Sequence, residues 1–174
     1  MMSDVVWQQR QVSEKTSAEV FSKIEQNQLL IERFGDWPSF HDAEVLKLVF
    51  DRGNHLQIIK TESWSDRIPE SLCVQFYVFD WRYGTESPPY RETLVTIRFE
   101  DFERFELNGF NYQNPIIGLG IQFEYSEFRR KDLFAVDWGC SAMSHEVSFS
   151  CERIIVESVE PIAWPNPAVK WDED

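Results

Sequence analysis

Apolar and polar positions change their period once along this chain, near Gly35, and the change separates a short helical part from a long sheet. Val20, Phe21, Ile24, Gln28, Ile31 and Phe34 recur at spacings of three or four, so one helix is expected from about Ser17 to Arg33, with an apolar face that must pack on something. Thr16 with Glu19 three residues on reads as a capping box at its start, and Gly35 as its stop. Pro38 then holds Trp37 extended. From Ala43 the period is two: Leu46, Leu48 and Phe50 fall on one face, and Ala43, Val45, Lys47 and Val49 on the other.

The turn cluster Asp51, Arg52, Gly53 and Asn54 leads to a second extended run, His55 to Thr61, which predicts a hairpin. Leu72 to Trp81 is apolar in both phases and predicts a central strand covered on both faces. Thr93 to Glu100 alternates with Val95, Ile97 and Phe99 inward, and Phe105 with Leu107 offers a further short strand. Ile117 to Phe123 is interleaved with Gly118 and Gly120, which predicts a bulge or the close approach of another element. Phe134 to Trp138 is a short strand, and Glu146 to Val159 a long one. In the long strand the apolar phase moves from Val147, Phe149 and Cys151 to Ile154 and Val156, which predicts an inserted residue near Glu152 or Arg153. The expected fold is α+β, a mostly antiparallel sheet of about eight strands with an N-terminal helix packed on it. One domain, 1–174, is expected: an irregular arm over 1–15, the helix over 16–34, the sheet over 43–160 and an extended tail over 161–174.

Composition sharpens this picture. A chain of 174 residues suits one domain, and 43% hydrophobic with 14 Phe and 7 Trp gives it an aromatic core. Thirty acidic against 17 basic side chains leave a formal charge of -13, which argues against nucleic acid as a ligand and points to a basic partner. Cys73, Cys140 and Cys151 form no CxxC pair and are expected as buried, reduced thiols. Neither a signal-peptide core nor a run of roughly 18 apolar residues stands out, so a cytoplasmic protein without a membrane partner is expected.

The chemistry-bearing residues concentrate in one stretch. Trp37, Phe40, His41, Asp42 and Glu44 set large rings against ionisable groups, and three readings apply: a structural lock, a partner-binding surface, or an acid/base or metal-dependent enzyme site centred on His41, Asp42 and Glu44. On a regular strand His41 would point away from Asp42 and Glu44, which weighs against the third. His55 and His145 have no partner at metal-ligand spacing, and no GxSxG, GxGxxG or GxxxxGK[ST] motif is present. No catalytic residue, metal ligand or cofactor is therefore assigned. Asp80, Trp81, Tyr83 and Glu86, on a proline-rich connection, are the candidate partner-binding residues. Glu100, Asp101, Glu103 and Glu106 around Phe102 and Phe105 form a second acidic aromatic segment.

Three segments carry a family resemblance: FGDWPSFHDAEV from Phe34, GFNYQNPIIGLGI from Gly109 to Ile121, and SFSCERIIVESVEP from Ser148 to Pro161. Together they resemble the immunity protein 50 family of bacterial polymorphic toxin systems. The resemblance implies a small noncatalytic protein, made beside a secreted toxin, that binds the cognate toxin domain and blocks it. It assigns no chemistry to any residue. A second copy of the chain is a further candidate partner.

Overall fold

In a computed structural model, which describes residues 16–54, 67–79, 92–109, 114–140 and 145–162, the expected helix is two short ones. Ser17, not Thr16, is the N-cap of α1 (Ala18–Phe21) and accepts the Val20 N–H at 3.3 Å. The second helix, α2 (Gln28–Phe34), ends as expected at Gly35, whose left-handed backbone (φ 80°) lets its N–H reach Ile31 O at 2.7 Å. Between the helices Gln26 is left-handed (φ 57°), and Glu25 is used as a strand. Its N–H donates to Ile154 O at 2.9 Å and its carbonyl accepts from Val156 N at 3.0 Å. A sheet edge therefore takes residues that local propensity would leave helical. The break also shifts the buried face: Val20, Phe21, Ile24, Leu30 and Phe34 are buried, while Gln28 is exposed.

Six strands among the described residues form one antiparallel sheet, mostly as expected, though six replace the expected eight. They are β1 (Glu44–Asp51), β2 (Ser71–Phe79), β3 (Glu92–Asn108), β4 (Gly118–Ser126), β5 (Lys131–Cys140) and β6 (His145–Pro161), in the order β1-β2-β3-β6-β5-β4. The run expected at 55–61 lies outside the described residues, as do the arm 1–15 and the tail from 163. The two short strands expected at 93–100 and 105–107 are one, because Asp101 and Arg104 adopt left-handed conformations (φ 57° each) and β3 continues through them.

β3 and β6 are each 17 residues long and form the spine. The first half of β3 pairs with β2, which begins at Ser71 opposite Glu100, while the first half of β6 pairs with β5. The outer elements then meet. Asp42 N donates to Ile116 O at 2.9 Å, Ile116 N to Ala43 O at 2.8 Å and Val45 N to Asn114 O at 3.0 Å, so the sheet closes on itself over this short stretch.

Inside, the aromatic side chains form one continuous set. Phe40 meets Phe76 at 5.3 Å, Phe76 meets Trp138 at 5.7 Å, and Trp138 meets Phe149 at 5.7 Å. Phe99 and Phe102 join at Phe149, and Phe50 extends the set towards solvent. Edge-to-face geometry dominates these pairs, as the ring quadrupole favours.

Four strand-level expectations need correction. In β1 Leu46 is an extra residue against β2, since Val45 pairs with Phe76 and Lys47 with Gln75. The face therefore flips, leaving Leu46 exposed and Val45 and Leu48 towards the core. In β2, Leu72, Val74, Phe76 and Val78 are fully buried but the Cys73, Tyr77 and Phe79 face is only half covered. The phase change in β6 is present, yet Glu152 and Arg153 insert nothing. Phe99 pairs with Ile154 and Phe102 with Cys151 without a register shift, so both strands change phase together beside left-handed Asp101. The inserted residue is Glu157, between Ser158 opposite Thr96 and Val156 opposite Ile97. Cys151 is buried as expected, but Cys73 is only half-buried.

At Gly120 the expected close approach is real: a Cβ there would lie 2.8 Å from the Asp137 carboxylate across the β4–β5 pair. Among the described residues no helix is long and apolar enough to cross a membrane.

Candidate functional site

The stretch before β1 turns its rings inward and its ionisable groups outward. Trp37 packs edge-on against Phe21 at 5.2 Å and lies 5.3 Å from Phe40, which is buried against Phe76. Immediately after, Asp42 is left-handed (φ 63°), which frees its N–H to reach Ile116 and lets Ala43 N bond Phe40 O at 3.0 Å. His41 and Asp42 are thus in a turn and not on a strand, and His41 Nδ1 lies 2.9 Å from Asp42 Oδ2 with both side chains exposed. Glu44 is half-buried on β1, opposite Tyr77. Burial raises the Tyr77 hydroxyl pKa, helped by its hydrogen bond to Glu92. Among the described residues no group of three His, Cys, Asp or Glu side chains is placed to hold a metal ion.

The other candidate residues divide differently. Asp80, Trp81, Tyr83 and Glu86 lie outside the described residues. In the second acidic aromatic segment, Phe102 is buried, Phe105 is half-buried, and Glu100 and Asp101 are committed to ion pairs. Glu103 and Glu106 lie further along β3, with Glu106 exposed.

Two ion networks cross the long strands. Glu100, nearly buried, is clasped by Arg98 and by Arg153, whose Nη1 lies 2.5 Å from it. Arg153 also forks onto both Glu25 oxygens at 2.8 Å, pinning the non-helical link to the sheet. Arg98 Nε lies 2.6 Å from Glu157, close enough for attraction although its N–H is not aimed along that line. In the second network Asp101 accepts from Arg67 at 2.8 Å and from Arg129 at 2.9 Å; Arg129 and Lys131 both reach Glu152, at 2.6 and 2.5 Å. Hydrogen bonds from Arg153 hold the Glu25 carboxyl below its ordinary range. Burial pushes the Asp101 carboxyl upward, but the hydrogen bonds from Arg129 and Arg67 outweigh it and the net shift is down.

A further exposed feature is the β4–β5 hairpin, where Phe123, Tyr125 and Phe128 reach solvent. EYSEFRRKD, a polar run with an aromatic residue at its centre, was the available signal for it. No protein family matches this chain, and no curated protein and no solved structure matches it either.

Proposed function

We propose that this chain is a noncatalytic immunity protein that binds a cognate cationic toxin domain and neutralises it by contact. The observation that carries the reading is the charge left after internal pairing. Among the described residues the two ion networks engage five basic side chains and five acidic ones, so this pairing leaves the formal charge of -13 undiminished. Such a field accelerates encounter with a basic partner by roughly 10- to 1000-fold at low salt and repels phosphate backbones. The resemblance of the three segments to the immunity protein 50 family points the same way. Those segments carry the closure of the sheet and its spine, so they bear on fold more than on contact residues.

The exposed His41–Asp42 pair supports a second reading, acid/base chemistry at His41, Asp42 and Glu44. Co-expression separates the two. A cell producing the C-terminal domain of the protein encoded immediately upstream, which is the toxin under the first reading, is expected to grow when it also carries this chain, and equally when it carries His41→Ala. No protection by the wild-type chain contradicts the first reading. Lost protection by a folded His41→Ala protein would favour the second.

A further inference from the structure

Along the core-facing side of β4 the exposure rises step by step: Leu119 and Ile121 are 2% exposed, Phe123 39% and Tyr125 54%. Phe128, in the turn beyond, is 85% exposed. The face that fills the core near Trp138 thus continues past the body of the sheet as an uncovered aromatic surface, with the Phe123 ring tilted against Phe134 on β5 at 5.2 Å. Contiguous exposed apolar surface of this kind marks contact sites on otherwise soluble domains.

The hairpin is also held rigidly. Arg130 N donates to Ser126 O at 2.7 Å and Arg129 N to Ser126 Oγ at 3.1 Å, with Arg130 left-handed (φ 55°), so the turn is fixed by its own backbone. Arg129 reaches back to Asp101 and Glu152, and Lys131 to Glu152, tying the turn to β3 and β6. These contacts neutralise two of the three consecutive cations. What faces solvent beside the rings is Glu127 and Asp132 against Arg130. A prearranged aromatic surface loses little freedom on binding, which favours affinity.

Resting on the reading above, we infer that the β4–β5 hairpin is the docking surface for the toxin domain, with Phe128 entering an apolar cleft rimmed by Lys or Arg. Charge selects this occupant. A second copy carries the same -13 and is repelled, and an anionic lipid surface is repelled likewise.

The test titrates the purified C-terminal domain encoded directly upstream with the wild-type chain, Phe128→Ala, the double reversal Glu127→Lys/Asp132→Lys, and Val49→Ala as an exposed apolar control on β1. Phe128→Ala is expected to weaken binding by at least about 30-fold, as for a central aromatic anchor, and to leave thermal unfolding unchanged because its ring touches little. The double reversal is expected to weaken binding chiefly at low salt, and Val49→Ala to bind as wild type. If the wild type binds and Phe128→Ala binds within about threefold of it, the docking surface is overturned while the immunity reading stands. If the wild type does not bind, both fall. Dimers, or binding to phosphatidylglycerol vesicles, that Phe128→Ala abolishes would assign the surface to a second copy or to a membrane, and overturn the proposed occupant.

Discussion

Trp138→Ala is expected to destabilise the protein by about 3 to 5 kcal/mol, the range for emptying a large aromatic site in a packed core. Trp138 is fully buried and touches Phe76, Phe99 and Phe149, which come from three different strands. Removing it deletes the ring through which β2, β3 and β6 meet β5, and aromatic neighbours fixed to separate strands cannot all collapse into the space. Against a total stability of roughly 5 to 15 kcal/mol, this is a large fraction. Denaturant unfolding measures it, and Trp138→Phe, which keeps most of the contact, is expected to lose much less. A loss under about 1 kcal/mol would mean that this ring is not the centre of the core.

Asp101→Ala is expected to cost about 2 to 4 kcal/mol, for two separable reasons. It leaves Arg67 and Arg129 without their shared carboxylate, and it places alanine at a left-handed position that Asp tolerates better. Asp101→Asn keeps the backbone tolerance and removes only the charge, so it should fall between wild type and alanine. The same carboxylate sets an acid limit. Its folded pKa is below the ordinary 3.8, and that of Glu25 is below 4.5, so their stabilisation is complete above those values and is lost as pH falls through the lower folded ones. Unfolding free energy should therefore decline as pH drops below about 4.5, and less steeply in Asp101→Asn. Parallel pH profiles for the two proteins would contradict the pairing.

Much of this architecture was legible because it depends on neighbours in sequence. Gly35 ends its helix for a local reason, its left-handed backbone, and Val95, Ile97 and Phe99 alternate inward because β3 is regular there. What was not legible depends on distant partners. Nothing near Glu25 and Gln26 says that β6, some 130 residues later, needs a strand at its edge. The extra residue in β1 is set by pairing with β2, and the continuity of β3 by the fit of Asp101 between two arginines from other segments. For the candidate site the limit is similar. Alternation along Leu119 to Tyr125 shows which face is inward, but not where the body of the sheet stops covering it. Of the residues singled out beforehand, Trp37 and Phe40 face the core, while His41 and Asp42 pair at the surface.

The most direct test of action by charge-guided contact is a calorimetric titration of this chain with the domain encoded upstream, at salt from about 50 to about 300 mM. The expected result is a one-to-one complex whose Kd rises about tenfold or more across that range. No heat of binding, or an affinity indifferent to salt, would contradict it.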